Sequence, residues 1–170
     1  SDGRYLAAIL YGSTGLRIYD AKNYQQIIGD ADYGDSSWWC SFDNSNRLVT
    51  TSDDGYIRLY NADFKVVQKK SAPGGSKPFS AVFSPGGQKI AVGYTDSTRV
   101  DVLSANDLKL IFSTNTSDVV KGDLSTVTWS TDGRYLYAGG RYDRDDFNPI
   151  RRWDKGGRGK VKEFRIATNT

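Results

Sequence analysis

Short runs in which apolar and polar residues alternate recur along the chain, and they predict β-strands with one buried face. The clearest are Leu16-Arg17-Ile18-Tyr19, Ile57-Arg58-Leu59-Tyr60, Val100-Asp101-Val102-Leu103 and Ile150-Arg151-Arg152-Trp153. No segment sustains an apolar period of about 3.6 residues, so we expect no substantial helix. Turns rich in Asp, Gly and Asn separate the runs, which is typical of short antiparallel strands.

A larger unit repeats along the chain, and each copy has a polar turn followed by an apolar anchor residue. The anchors are Leu6, Leu48, Ile90 and Leu136, at spacings of 42, 42 and 46 residues. Each unit holds four short strands, except the first, which lacks the inner strand before its anchor. The pattern predicts an all-β propeller segment of about four blades, each of four antiparallel strands, over residues 1–29, 37–71, 79–113 and 125–167.

The units resemble WD-repeats over the whole chain. The residues that carry this resemblance are Phe83-Ser84-Pro85-Gly86-Gly87, Ile90-Ala91-Val92-Gly93, Thr51-Ser52-Asp53-Asp54-Gly55 and the closing pair Trp153-Asp154. The chain contains no His, so the Gly-His dipeptide of many WD-repeats is absent and the hydrogen-bonded tetrad built on that His cannot form. The repeats are therefore of a divergent, bacterial-looking kind.

The number of blades in the complete ring is not fixed by the repeats. WD-repeat rings usually have seven or eight blades, and the chain contains no Met. We therefore expect the four blades to be part of a larger seven- or eight-bladed ring in a longer protein. Two alternatives stay open: two copies could associate into an eight-bladed ring, or four blades could close alone. An isolated half-ring would expose apolar blade faces.

Composition narrows the chemistry that the chain can perform. The 170 residues include 23 basic and 20 acidic ones, and a net charge of +3 is too balanced to indicate a nucleic-acid partner. No apolar run approaches the roughly 20 residues of a membrane span. The absence of His excludes a Ser-His-Asp triad and any His-ligated metal, and we expect no cofactor. The single Cys excludes an internal disulfide and fits a cytoplasmic location.

Carboxylates stand in the turns between the second and third strands of two units. Asp53 and Asp54 precede Gly55 in the second unit, and Asp96 lies at the corresponding place in the third. The resemblance implies that such an Asp braces the loops of the binding face. The first unit has Gly12-Ser13-Thr14-Gly15 at this place and no carboxylate.

A longer segment fills the same position in the fourth unit and supplies most of its extra length. It carries Arg141, Tyr142, Arg144 and Phe147, whose charges and aromatic rings suit a recognition loop. A solvated insertion is the alternative. The linker before the second unit adds Asp30 and Tyr33. We expect the partner-binding residues to be Asp30, Tyr33, Asp53, Asp54, Asp96, Arg141, Tyr142, Arg144 and Phe147.

The inner strand of the second unit is rich in large side chains. It contains Trp38, Trp39, Cys40 and Phe42, which we interpret as blade packing. Without a His to activate it, Cys40 is not expected to be a nucleophile.

Two functions of different classes follow from these patterns. The first is a non-catalytic scaffold for protein interaction or ligand sensing, since no nucleophile–base pair, metal cluster or phosphate loop is visible. The resemblance implies a regulatory propeller in a multidomain, bacterial effector protein, whose partner is another protein or its own caspase-like or TIR effector domain. The second is an enzymatic propeller of glycosidase or lactonase type, which requires two or more of Asp53, Asp54, Asp96 and Asp143 to converge at the mouth of the central channel.

Overall fold

The computed structural model describes residues 2–143 and 147–165, and within these ranges it is built from strands and turns. Two short 3-10 turns, Gly12–Thr14 and Lys155–Gly157, are the only helical segments described. The strands are β1 (Tyr5–Ile9), β2 (Leu16–Asp20), β3 (Gln26–Asp30), β4 (Ser37–Phe42), β5 (Leu48–Ser52), β6 (Tyr56–Tyr60), β7 (Val66–Ser71), β8 (Pro78–Phe83), β9 (Lys89–Tyr94), β10 (Val100–Ser104), β11 (Leu110–Ser113), β12 (Thr126–Trp129), β13 (Leu136–Gly139), β14 (Ile150–Trp153) and β15 (Val161–Phe164).

These strands form four sheets in which consecutive strands are neighbours. The first sheet has the order β1-β2-β3, and the others are β4 to β7, β8 to β11 and β12 to β15. Every pairing within a sheet is antiparallel. The predicted fold class, an all-β structure of propeller-type blades, is confirmed, while closure into a larger ring stays a prediction.

The turn before each anchor residue folds in the same way in every repeat. A residue with positive φ lies two or three positions before the anchor: Gly3, Asn46, Gly87 and Gly133. Glycine and asparagine adopt this left-handed backbone at low cost, which explains why the repeated turns are rich in them. The turn therefore places the anchor at the same register position in each sheet.

Neighbouring sheets pack through equivalent positions, so that one pattern builds three interfaces. The anchors Leu48, Ile90 and Leu136 are fully buried and lie in the core clusters shared with the preceding sheet. The residues after the second and third anchors, Val49 and Ala91, are buried in the clusters shared with the following sheet. Burying each of the larger side chains contributes about 1.5–3 kcal/mol, so these interfaces hold the blades together.

The corresponding positions on the outer faces of the first and last sheets are not fully buried. Leu6, which corresponds to the buried anchors, is 49% exposed. On the last sheet, Tyr137 and Ile150 line an apolar cavity of about 250 Å³. Among the described residues, no core cluster joins the first sheet to the fourth. The two outer faces therefore have the composition of blade-packing surfaces.

Candidate functional site

The linkers between sheets and one set of hairpin loops lie on the same side of the blades. Backbone hydrogen bonds join them, from Asp53 N–H to the Ser36 carbonyl (2.9 Å) and from Thr95 N–H to the Lys77 carbonyl (3.1 Å). We call this side the loop face; it consists of hairpin loops 10–15, 53–55, 95–99, 140–143 and 147–149, and of linkers 31–36, 72–77 and 114–125. The remaining turns lie at the opposite ends of the strands and form the turn face.

Two of the predicted carboxylates hold a hairpin loop against a linker. Asp54 accepts hydrogen bonds from Gly34 N–H (3.0 Å) and Tyr56 N–H (3.0 Å). Asp96 accepts from the N–H (2.8 Å) and hydroxyl (2.6 Å) of Ser76. Burial would raise the pKa of both carboxyls, but these hydrogen bonds, with that of Arg58 to Asp54, hold each pKa below its usual value. Both loops are therefore braced by charged acceptors.

Two of the predicted residues, Tyr33 and Asp54, meet around a buried arginine. Arg58 is fully buried and binds both carboxylate oxygens of Asp54, at 2.6 and 3.2 Å. It also donates to the Asp32 carbonyl (2.5 Å), and its guanidinium lies over the Tyr33 ring, 3.9 Å from the centroid. One cation thus ties the hairpin loop of the second sheet to the linker that precedes that sheet.

A chain of hydroxyl groups continues from this arginine into the core. The Tyr33 hydroxyl lies 2.7 Å from Thr50 Oγ1 and 2.8 Å from the Tyr60 hydroxyl, which donates to Asp30 Oδ2 at 2.7 Å. Burial raises the pKa of both Tyr33 and Tyr60 and is the main cause of the shift. Tyr33 is buried, so its predicted contact with a partner is corrected to a role inside the loop network.

The fourth hairpin loop also differs from its expected role in recognition. Tyr142 is only 1% exposed, packs into the core and donates to Glu163 Oε1 (3.2 Å). We correct its predicted partner contact, because the side chain is not at the surface. Arg141 is exposed and binds the buried carboxylate of Asp123 at 2.7 Å. Arg144 lies outside the described residues.

Phe147 and Asp53 complete the predicted set, and both lie partly at the surface. The Phe147 ring is half-buried beneath the Arg165 guanidinium, 4.1 Å from the ring centroid. Asp53 is half-buried and forms a long ion pair with Lys77 (3.6 Å). Asp30 and Asp54 are half-buried as well, and Arg141 and Asp96 are exposed, so six of the predicted residues keep some accessible surface.

Three of the four carboxylates named for the enzymatic alternative have identified partners in the loop network. Asp54 is bound by Arg58, Asp96 by the linker at Ser76, and Asp53 by Lys77. Within residues 2–143 and 147–165, no three His, Cys, Asp or Glu side chains are grouped so that they could hold a metal ion. The contacts of Asp53, Asp54 and Asp96 join hairpin loops to linkers and so brace the loop face.

The thiol of the single cysteine has no feature of an activated nucleophile. Cys40 is half-buried on β4, and its nearest polar neighbour is the Ala7 carbonyl, 4.0 Å from Sγ. Burial raises its pKa to about 11. The thiol is therefore protonated at neutral pH.

Sequence reasoning missed a row of aromatic side chains that starts on the loop face. The Trp38 ring lies between Tyr11 and Phe79, with centroid distances of 6.3 and 6.0 Å. Tyr11 is 81% and Trp38 39% exposed, so the Trp38 ring contacts the neighbouring sheet at Phe79 but also lies partly at the surface. The sequence does carry a signal for this row. At the start of β4 and β8 an additional large residue interrupts the strict alternation of apolar and polar positions, in Ser37-Trp38-Trp39 and Pro78-Phe79-Ser80.

Comparison with protein families gives a match to part of the chain. The family model described as "WD40: WD domain, G-beta repeat" matches residues 34–61, which cover β4, β5 and β6 with the loops between them. No curated protein matches the chain. Among the described residues, no helix is long and apolar enough to cross a membrane.

Proposed function

On the premise that this chain carries a WD40 repeat and is consistent with the WD-repeat family, we propose that it is a non-catalytic scaffold that binds a protein partner through its loop face. WD40 repeats are typical of protein-interaction scaffolds. The observation that carries the proposal is the buried Arg58 network, which fixes the loops of the face without leaving its groups for catalysis.

A braced loop face suits binding because the loops are ordered before a partner arrives. Asp54, Asp96 and Asp123 each join a hairpin loop to a linker. Ordering such loops during association would cost about 0.5–1.5 kcal/mol for each side chain immobilised, and the braces avoid much of that cost. The accessible charges differ along the face, with acidic Asp53 and basic Lys77 and Arg141, which provides a basis for specificity.

The wider setting of the scaffold is part of the proposal. We place the chain in the cytoplasm as the regulatory propeller of a larger multidomain protein, with its own effector domain or another protein as the partner. Arg144, which precedes Phe147 in the sequence, belongs to the proposed binding set. The exposed outer faces around Leu6 and Tyr137 would receive further blades of a seven- or eight-bladed ring, or those of a second copy.

Reversing the charges of half-exposed Lys77 and exposed Lys121 on the loop face is expected to remove most partner capture. Lys77→Glu combined with Lys121→Glu changes residues on two linkers while leaving the bracing carboxylates in place. The immobilised chain is incubated with extract of the source organism, and bound proteins are identified by mass spectrometry. We expect the wild-type chain to retain a defined partner and the double variant to retain at most about a tenth of it.

A control with the same change in charge uses the turn face. Lys22→Glu combined with Lys65→Glu alters two exposed turn residues, and we expect it to retain the partner as the wild-type chain does. Loss of the partner in this control, or full retention by the Lys77→Glu, Lys121→Glu variant, would contradict binding through the loop face. So would the absence of any specific partner of the wild-type chain.

A further inference from the structure

Three neighbouring aromatic rings, of which Tyr11 and Trp38 are exposed and Phe79 is half-buried, connect the first three sheets. We call Tyr11, Trp38 and Phe79 the aromatic row; its rings are spaced by 6.3 and 6.0 Å. The ring of Trp39 also contacts the row, with its centroid 6.4 Å from that of Phe79. Exposed aromatic residues of this kind supply most of the binding energy in many protein interfaces.

The same backbone irregularity places both strand residues of the row. The pairing of β4 with β5 shifts between Ser37 and Trp39, so Trp38 has no partner in the ladder. The pairing of β8 with β9 shifts between Pro78 and Ser80, so Phe79 has none either. A bulge of this type redirects its extra side chain and leaves its backbone groups outside the ladder. The same bulge therefore places an aromatic side chain in two repeats.

Charges of opposite sign lie near the two ends of the row. Asp35 is exposed two residues before Ser37, beside the Tyr11 and Trp38 end. Lys77 is half-exposed two residues before Phe79, at the other end. A ligand that lies along the row would therefore gain from a basic residue at the first end and an acidic residue at the second.

We propose that the aromatic row docks an extended peptide segment of a partner protein whose alternate side chains are apolar. Side chains on one face of an extended strand repeat at about 6.6–6.8 Å, close to the spacing of the rings. Three alternate apolar side chains of the peptide would lie on the three rings. A basic residue of the peptide would lie opposite Asp35, and an acidic residue opposite Lys77. This inference rests on the proposed scaffold function and names the chemistry of the partner.

Selection from a library of random twelve-residue peptides displayed on phage tests the proposal. The immobilised wild-type chain is the target, and enriched sequences are synthesised for measurement of Kd by fluorescence polarisation. We expect apolar residues at positions i, i+2 and i+4. We also expect Tyr11→Ala and Trp38→Ala each to raise Kd by about tenfold or more. Tyr11 is 81% exposed, so its variant keeps the fold even if Trp38→Ala does not.

Tyr24→Ala is the matched control, because Tyr24 is 71% exposed and lies on the turn face. We expect it to change Kd by less than about twofold. Apolar residues spaced by three or four, no enrichment, or equal Kd values for Tyr11→Ala and wild type would overturn the aromatic row as the site. Peptides could bind Tyr11→Ala as tightly as wild type and yet fail to bind the Lys77→Glu, Lys121→Glu variant. In that case the scaffold function would stand and this inference would fall.

Discussion

Replacing Arg58 with alanine is expected to lower the free energy of unfolding by about 3–5 kcal/mol. The side chain is fully buried and makes two hydrogen bonds to Asp54 and one to the Asp32 carbonyl. Its removal leaves the half-buried Asp54 carboxylate without its cation and the Tyr33 ring without its contact. Urea unfolding followed by circular dichroism and Trp fluorescence measures the change.

Arg17 provides a matched control within the same chain. It occupies the equivalent position on the third strand of its repeat, but its described hydrogen bonds go only to the carbonyls of Thr14 and Leu16. We expect Arg17→Ala to cost less than about 1 kcal/mol. Equal losses for the two variants would show that the ion pair to Asp54 does not stabilise the loop face.

The second large effect is expected from Gly15→Ala in the first hairpin loop. Gly15 has φ +73° and ψ −132°, a combination that other residues rarely adopt. An added Cβ would overlap the Asp30 carbonyl oxygen and lie 2.7 Å from Cδ2 of Tyr33. Backbone strain of about 1–2 kcal/mol and overpacking of about 1–3 kcal/mol together predict a loss of about 2–5 kcal/mol in the free energy of unfolding.

Gly12→Ala separates these two contributions. Gly12 lies in the same loop with φ +65°, but nothing stands within 4 Å of an added Cβ. We expect only the backbone cost of about 1–2 kcal/mol for this variant. Thermal and urea unfolding of both proteins give the comparison. A loss for Gly12→Ala as large as that for Gly15→Ala would contradict close packing of the loop on Asp30 and Tyr33.

The repeated elements could be predicted from sequence because their determinants are local. Alternating runs mark the strands, and the anchors Leu48, Ile90 and Leu136 are buried as their spacing indicates. The Asp-rich turn of the second repeat was also recognisable, and it lies within the segment that matches the WD40 repeat. Turn chemistry and side-chain period depend on neighbouring residues, which a single sequence displays.

The roles of Tyr33, Tyr142 and Trp38 depended on contacts between distant residues. Both tyrosines stand in polar loops, but their hydroxyl groups are satisfied by Tyr60 and Glu163 from other segments. Trp38 is turned outward by a shift in register against β5, which sequence alternation does not specify. Local pattern therefore assigned two buried residues to the surface and did not indicate that Trp38 lies partly at the surface.

The importance of Arg58 was hidden for a related reason. Alternation between Ile57 and Leu59 is typical of a strand whose polar side chain faces solvent. In a blade both faces of the sheet are covered, so the same side chain is buried and requires a partner. The fully buried Arg151 of the fourth sheet repeats the arrangement, bound to Asp118 at 2.8 Å.

Hydrogen exchange of the chain, free and with its captured partner, tests binding through the loop face most directly. Mass spectrometry of the digested chain resolves the loop face from the turn face along each repeat. We predict slower exchange in the bound state at residues 10–15, 31–38 and 72–79, and unchanged exchange at residues 21–25 and 61–65. Protection confined to the turn-face residues, or to neither set, would contradict the account.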